Sequence, residues 1–339
     1  VTDAPPVVGR IKSKPEDFVV EEIPDGPLSG SGDHLYVWIE KRDLPAHELL
    51  RRLSHVLNLD AREVGTAGLK DARAITRQHV SLPARVENRL SAIEDNKLTV
   101  LSVSRHDVKL KTGHLQGNAF TVRVRGVALA DMEKARVMIE KLRVTGVPNY
   151  FGAQRFGREG STLDLGHRLF SGEHAPVSPM LRRLALSSVQ SALFNASLAA
   201  RVTDGLLTRV LRGDVIADRK LSIVSVAIDA EAEEERARIG RVATLGPIFG
   251  IKMREARHVV AEREAAVLAA AGLTRASFAP HRQLLPGTRR AYRIPLDALQ
   301  FAPADDGFTI GFRLPAGGYA TVVLNEVIRA QEEQGELEE

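Results

Sequence analysis

Apolar and polar residues alternate along several stretches of the first part of the chain, which is the pattern of half-buried strands. These strands are expected at residues 17–23 (DFVVEEI), 35–41 (LYVWIEK), 98–104 (LTVLSVS) and 120–125 (FTVRVR). Residues 46–59 instead carry leucine and valine at helical spacing, so an amphipathic helix is expected there. A second helix is expected after Asp131, with that carboxylate as its cap. The first part is therefore a mixture of strands and helices.

The pattern changes at Gly146-Val147-Pro148, which marks a possible domain boundary. Helical spacing dominates from there to about residue 205, and another helix is expected over residues 254–271. Strand alternation returns between Phe308 and Leu314, and a last helix is expected at about residues 320–330. The end of the chain thus resembles the first part more than the middle, which hints at a discontinuous domain.

Length and composition narrow the classes of protein that the chain can represent. Its 339 residues suffice for two domains, and no run of 18 apolar residues predicts a membrane span. Residues 1–6 lack a signal-peptide pattern, so no export is expected. Cysteine is absent, which excludes disulfides, thiolate chemistry and cysteine-based zinc sites and fits a reducing cytoplasm.

The charge of the chain suggests an anionic partner. The net charge is +4, although the last ten residues hold five glutamates and no basic residue. The remainder of the chain therefore carries +9, and nucleic acid is the leading candidate for its partner. The acidic tail itself is expected to be a frayed, solvated end.

The segment from Thr66 to Gln78 (TAGLKDARAITRQ) places a lone carboxylate, Asp71, directly after Lys70 and among further cationic side chains. Nearby positive charge favours the ionised form of a carboxylate, which is then available as a nucleophile or base. The cations could also meet a phosphate backbone. The alternative is a polar turn in which Asp71 caps the next helix.

A second segment, residues 109–120 (KLKTGHLQGNAF), gathers two lysines, a histidine and Asn118 before the aromatic Phe120, which is expected to open a strand. An asparagine amide offers both a donor and an acceptor to the edge of a pyrimidine, and an aromatic ring can stack on a base. The alternative is a Gly-Asn turn with Phe120 in the core.

Other aromatic residues stand in settings that suit RNA. Residues 149–157 (NYFGAQRFG) interleave three aromatics with an amide and an arginine, although a packed domain junction would use the same residues. Tyr319 follows a Gly-Gly turn, and Phe18 lies in the first strand. The alternative for each of these aromatics is a position in the hydrophobic core. The sequence motifs of phosphate loops, dinucleotide folds, zinc hydrolases and serine hydrolases (GxxxxGK[ST], GxGxxG, HExxH and GxSxG) are absent.

Six segments together resemble the TruD family of tRNA pseudouridine synthases and occur in the order of that family. They are PEDFVVEE near the start, AGLKD ending at Asp71, GHLQGNAF at 113–120, VPNYFGAQRFG at 147–157, SALFN at 191–195 and LPAGGYAT at 314–321. The resemblance implies an α/β (α+β) fold, in which a catalytic domain with a mixed, mainly antiparallel sheet carries an inserted second α/β domain. Residues 1–143 plus 291–339 would form the catalytic domain and residues 144–290 the insertion.

The resemblance also implies roles for individual residues. Asp71 falls on the catalytic aspartate of the family and Asn118 on the asparagine that contacts the target base. Phe18 and Tyr319 fall on aromatics of the uridine pocket, although relatives can carry phenylalanine at the position of Tyr319. Secondary substrate contacts would come from Lys12, Lys70 and Phe120.

The implied reaction is the isomerisation of uridine to pseudouridine, with position 13 of tRNA as the implied target. It needs no metal or cofactor, and tRNA is the implied partner; no membrane association and no obligate protein partner are expected. Whether Asp71 attacks C1′ or removes a ribose proton stays open, as do the tRNA species and the oligomeric state. The alternatives are a non-catalytic tRNA-binding protein, a nuclease that uses Asp71 and His114, and a structural protein without an RNA partner.

Overall fold

The computed structural model describes residues 5–68, 70–219, 223–296 and 298–330. The described chain divides into two compact units. The terminal unit holds the described residues up to Arg143, residues 296–320 and those from Leu324 onward. The central unit holds residues 144–295 and 321–323. The acidic tail, for which we expect a frayed end, lies outside the described residues.

The strands and helices have the following bounds in the described part of the chain. The strands are β1 (Val7–Gly9), β2 (Phe18–Pro24), β3 (His34–Arg42), β4 (Gly65–Thr66), β5 (Ile75–Pro83), β6 (Leu98–His106), β7 (Leu115–Arg125), β8 (Val147–Pro148), β9 (Val215–Asp218), β10 (Ile223–Val226), β11 (Val242–Ile248), β12 (Thr288–Ala291), β13 (Arg293–Ile294), β14 (Gln300–Ala304), β15 (Gly307–Pro315) and β16 (Ile328–Ala330). The α-helices are α1 (Ala46–Leu57), α2 (Leu129–Thr145), α3 (Ser161–Phe170), α4 (Pro179–Thr203), α5 (Ala230–Arg238), α6 (His258–Ala270) and α7 (Ala320–Val327).

The terminal unit is built on an eight-stranded sheet in the order β14-β15-β7-β2-β5-β3-β6, with β4 paired to β5 beside this path. Neighbouring strands are antiparallel throughout the described sheet except at β2 and β5. β1 and β16 form a separate parallel pair, which ties the two ends of the described chain together. The expected fold class, a mixed and mainly antiparallel sheet with helices, is confirmed.

The parallel pair at the centre of this sheet is short. Val19 to Glu21 of β2 pair with Ile75 to Arg77 of β5, and the next pairing partner on that side of β5 is β4. The two central strands therefore part after three residues. β4 thus lies on the side of β5 that β2 has left, and the segment after β4 leads into the start of β5.

Helix α1 covers one face of the sheet. Leu35, Val37 and Ile39 alternate along β3 and share a buried cluster with Leu49 and Leu53 of α1. Burial of each such side chain contributes about 1.5–3 kcal/mol. The helix ends at Leu57, and the next residue, Asn58, has a left-handed φ of 50°, as is common after the last helical turn. Periodicity therefore predicted both the strand and the helix correctly.

Several sequence-based boundaries are wrong. β7 begins at Leu115 rather than residue 120, because residues 117–119 pair with both β2 and β15 and Leu115 pairs with Pro24 of β2. Asp131 lies inside α2, which begins two residues earlier, so it is not the cap. α7 ends at Val327 because the chain then pairs with β1 as β16. The segment after Asp71 leads into β5, so the alternative of a helix cap there is also wrong.

The central unit contains a four-stranded antiparallel sheet in the order β10-β9-β11-β12 and the two-stranded pair β13-β8. Its longest helix, α4, begins after Ser178, whose Oγ accepts a hydrogen bond from the Leu181 N–H at 3.2 Å. α6 begins at His258, four residues later than expected. No described helix combines the length and the apolar character that crossing a bilayer requires.

Candidate active site

One face of the central strands gathers three of the sequence-predicted residues. Phe18 of β2 lies opposite Val122 of β7, and two and four residues further along β2 the pairs are Val20–Phe120 and Glu22–Asn118. Residues directly opposite in a ladder point to the same face, and so do residues two apart in one strand. Phe18, Phe120 and Asn118 therefore share one face of the sheet, with Glu22 beside Asn118.

Asp71 lies in the segment between β4 and β5, and its carboxylate is partly open to solvent. Lys12 Nζ donates to Asp71 Oδ1 at 3.1 Å, with the two side chains 32% and 44% exposed. The same Nζ lies 4.2 Å from the centre of the Phe18 ring. Ion pairs this exposed contribute only about 0–1 kcal/mol to stability. The lysine therefore orients the carboxylate next to Phe18 rather than stabilising the fold.

Lys41 holds the main chain of the same segment, a contact that the sequence did not reveal. Its side chain is fully buried at the end of β3, and Nζ donates to the carbonyl oxygens of Leu44 and Asp71 at 2.7 Å each. Burial lowers the pKa of this ammonium from 10.5 to about 8. Asp71 is thus held at its carboxylate by one lysine and at its carbonyl by another.

Lys70, which precedes Asp71, forms a buried ion pair with Glu22. Lys70 Nζ donates to Glu22 Oε2 at 2.9 Å, and the side chains are only 5% and 1% exposed. Glu22 Oε1 also accepts from the His79 N–H at 3.4 Å, so this carboxylate bridges the gap where β2 and β5 part. The structure therefore places Lys70, a predicted substrate contact, in an internal ion pair.

Three polar residues on the same face of the sheet, Asn118, Gln78 and Thr76, carry atoms without partners in the described structure, and we call these residues the polar floor. Asn118 Oδ1, Gln78 Oε1 and Thr76 Oγ1 are buried and accept or donate no hydrogen bond within the described residues. Thr76 lies opposite Val20 and two residues before Gln78, so both share the face of Asn118. Buried polar groups are normally hydrogen-bonded, because an unmade bond costs about 1–3 kcal/mol. This concentration of unsatisfied atoms marks the face as a place where a polar ligand would gain bonds.

The predicted aromatic residues differ in their exposure. Phe18 and Phe120 are 2% and 7% exposed, and their ring centres lie 6.2 Å apart in an edge-on arrangement. Phe120 stacks on Phe312 of β15 at 5.2 Å. Tyr319 is partly buried and directly precedes α7, after a turn in which Gly317 has a φ of 79°. Little of the two phenylalanine rings is open to solvent, whereas Tyr319 is only partly buried.

The NYFGAQRFG segment lies within the central unit and is engaged in its packing. Phe151 meets Phe194 of α4 edge-on at 5.6 Å, and the side chain of Arg155 donates to Ser191 at 3.1 Å and Ser187 at 2.8 Å. Asn149 donates to the carbonyl of Ala291 at 2.8 Å. These contacts show that the side chains of Asn149, Phe151 and Arg155 take part in packing within the central unit.

Comparison with known proteins identifies the family of the chain. The family model described as tRNA pseudouridine synthase D (TruD) matches residues 1–176 and 170–327. A tRNA pseudouridine synthase D from Anaeromyxobacter sp. (strain Fw109-5) is 38% identical over the whole length of both chains. The chain belongs to the tRNA pseudouridine synthase D family.

Further matches agree with this assignment to the TruD family. A tRNA pseudouridine synthase D from Thermus thermophilus is 38% identical over 97% of this chain and 91% of its own length. A crystal structure from Methanosarcina mazei, described as a putative tRNA pseudouridine synthase D, superimposes with a TM-score of 0.79 at 24% identity, covering 96% of this chain and 94% of the other. The relatives support the family, and the crystal structure supports the fold.

Two residues of the TruD chain that adjoin the site, Lys41 and Glu22, were not predicted from its sequence. Lys41 did leave a signal, because strand alternation puts it in phase with the apolar residues Val37 and Ile39. A lysine in that phase has to be buried or to end the strand. Glu22 lay inside a motif that resembles the family, but only the ladder shows that it meets Lys70 and adjoins Asn118.

Proposed function

We propose that the protein isomerises uridine to pseudouridine in tRNA, at position 13, and that Asp71 is its catalytic residue. Full-length membership of the TruD family supports the reaction and the substrate. The observation that carries the assignment of Asp71 is its carboxylate, which is open to solvent yet held by Lys12 beside Phe18. A carboxylate placed in this way can reach a nucleoside that enters over the same face.

The chemistry requires little more than this carboxylate. The bond from C1′ to N1 of the uridine breaks, the uracil turns, C5 bonds to C1′ and loses its proton, and N1 gains one. Most glycosidases use two carboxylic acids because their leaving oxygen has to be protonated. Uracil can depart as a delocalised anion, so one carboxylate suffices. Asp71 would either attack C1′ or remove a ribose proton; since nothing is oxidised or added, we propose that no metal or cofactor takes part.

We assign recognition of the base to the polar floor and to the aromatic residues Tyr319, Phe18 and Phe120. Asn118 Oδ1 is buried without a partner in the described structure, so it can accept the N3–H of uracil. Tyr319 would stack on the base, while Phe18 and Phe120 would form the wall behind it. Lys12 would contact the nucleotide from the side of Asp71, and Lys70 would contribute through its pair with Glu22.

The remaining assignments follow from the same proposal. Residues 1–143 plus 291–339 would form the catalytic domain and residues 144–290 the inserted domain. The target nucleotide would have to leave its stack, which costs a few kcal/mol, and phosphate contacts would offset this loss. We place the reaction in the cytoplasm, with tRNA as the partner and no obligate protein partner.

A direct assay tests the reaction, the site and the target together. Purified protein is incubated with unmodified tRNA transcripts without added metal or cofactor, and pseudouridine is mapped by carbodiimide adducts and primer extension. We expect a stop that reports position 13 with the wild type and none with Asp71→Asn, which should bind tRNA within a few-fold of the wild type. Near wild-type turnover by Asp71→Asn would show that the site assignment is wrong.

The same assay separates the alternative functions. Tight tRNA binding without new pseudouridine would favour a non-catalytic tRNA-binding protein. Shortened RNA would favour a nuclease that uses Asp71 and His114, because isomerisation leaves the length and mass of the RNA unchanged.

A further inference from the structure

Lys41 is buried without the partner that a buried ammonium normally has. Its side chain has no exposed surface, and within the described residues no carboxylate oxygen forms an ion pair with its Nζ. Transfer of an ammonium out of water is strongly unfavourable unless opposite charge or good hydrogen bonds compensate. Here the two carbonyl oxygens of Leu44 and Asp71, at 2.7 Å each, provide the compensation.

These two carbonyls belong to two different segments, and a second bond joins the same segments. Leu44 follows the turn after β3, and Asp71 begins the turn before β5. The N–H of Asp43 donates to the carbonyl of Ala74 at 3.1 Å. Both ends of the four-residue segment 71–74 are therefore fastened to the end of β3, one of them by the ammonium of Lys41.

We propose that Lys41 is a positioning residue that fixes the main chain at Asp71, so that the carboxylate of Asp71 faces the uridine. This inference rests on the proposed function of Asp71. Lys41 acts through the Asp71 carbonyl and does not touch the substrate. Hydrogen bonds from a charged donor are roughly twice as strong as those between neutral groups, so loss of the charge loosens the segment.

The ionisation of Lys41 makes the inference measurable. Burial lowers its pKa from 10.5 to about 8. Among the charged groups that act on this ammonium, the Asp71 and Asp43 carboxylates raise its pKa and the Lys70 ammonium lowers it. The charged hydrogen bonds are therefore present below pH 8 and are lost as the pH rises through that value.

The first test replaces Lys41 by methionine, which keeps most of its volume and donates no hydrogen bond. We expect kcat for uridine isomerisation to fall about 10²-fold, since a misplacement of about 1 Å can cost that much. KM for tRNA should change by no more than about threefold, because only the reacting carboxylate is displaced. Unchanged kcat in a folded Lys41→Met variant would overturn the inference.

Two controls separate positioning from other effects. Lys134→Met makes the same chemical change on the exposed surface of α2, where the lysine pairs with Asp131 at 2.7 Å, and should retain kcat. Ile139→Ala removes a fully buried side chain from α2, outside the buried cluster that contains Leu44, and lowers stability. Below its melting transition it should retain kcat, whereas Lys41→Met should not.

The pH dependence of the wild type provides a test that needs no variant. We expect kcat to fall as the pH rises through about 8 while KM stays constant, and this fall should be missing from the residual activity of Lys41→Met. A wild-type kcat that stays constant up to about pH 9 would overturn the inference, even if Lys41→Met failed to fold.

Chemical rescue exploits the absence of cysteine from the chain. Lys41→Cys introduces the sole thiol, which is alkylated with 2-bromoethylamine in the unfolded protein to restore an amine of nearly the same reach. After refolding, kcat should recover, and its decline should move to lower pH because the thioether lowers the pKa of the amine. Wild-type protein carried through the same cycle has no thiol and controls for refolding.

The outcomes distinguish this inference from the proposed function. If the wild type forms no pseudouridine, the proposed function fails. If the wild type is active and both its pH profile and Lys41→Met show no effect on kcat, Lys41 has no positioning role while Asp71 keeps its own.

Discussion

The buried pair of Lys70 and Glu22 allows a sharp test of how the segment before Asp71 is held. The perturbation is Glu22→Gln, which keeps the shape of the side chain and a hydrogen-bond acceptor but removes its negative charge. Lys70 then remains buried with an ammonium that lacks its counter-charge. The variant therefore measures what the charge at position 22 contributes.

The magnitude follows from the geometry of the pair. The two charged atoms lie 2.9 Å apart, and the side chains are 5% and 1% exposed. At an effective dielectric constant of about 20, their attraction amounts to roughly 6 kcal/mol. The amide of glutamine retains part of this as a hydrogen bond. We therefore expect the free energy of unfolding to fall by about 3–5 kcal/mol, as is typical when one partner of a buried pair is removed.

Urea unfolding followed by tryptophan fluorescence is the assay. Trp38 is the single tryptophan of the chain and lies on β3, in the same sheet as Glu22, so its signal reports the unfolding of the terminal unit. With a denaturant slope of about 2 kcal/mol per molar urea, a loss of about 4 kcal/mol moves the midpoint down by about 2 M.

The neighbouring residue supplies the matched control. Glu21 is adjacent on β2, but its side chain is 49% exposed and pairs with Arg77 at 3.2 Å. Glu21→Gln makes the same chemical change and should lower the free energy of unfolding by less than about 1 kcal/mol. Equal losses in the two variants, or a loss below about 1 kcal/mol for Glu22→Gln, would refute the reasoning that burial makes this pair important.

Three further predictions concern the polar floor, the buried lysine and the tRNA. Asn118→Leu removes an unsatisfied oxygen and should raise the free energy of unfolding by about 1 kcal/mol, while kcat/KM falls at least about tenfold; lower stability or full activity would contradict this. Between pH 8 and 10.5 the unfolded chain retains the Lys41 proton that the folded state has released, so wild-type stability should rise by about 3 kcal/mol relative to Lys41→Met. A difference that stays flat in urea titrations across this range would contradict it. Filter binding of Asp71→Asn to tRNA should weaken steeply between about 50 and 200 mM salt, and salt-independent binding would exclude phosphate contacts.

Particular strands and helices show how much of the fold could be predicted from the sequence. The strands near Phe18, Val37 and Phe312 and the helix after Ala46 were predicted because alternation and helical spacing follow from which face is buried. β5 was missed, because Ile75 to Pro83 is a central strand whose polar residues Thr76 and Gln78 face inward and break the pattern. The start of β7 was placed too late, since residues 117–119 owe their strand conformation to ladders on both sides.

The sequence by itself determined the family and the class of fold and supplied the candidate residues of the site, because motifs such as the one ending at Asp71 are local. Only the tertiary structure decided which of these residues meet. Lys12, Lys41 and Asp71 are distant along the chain and converge through the pairings of β5 with β2 and β3, which no local pattern encodes. The structure likewise decided that Lys70 faces Glu22, because burial leaves an ammonium stable only where a carboxylate or carbonyl oxygens receive it.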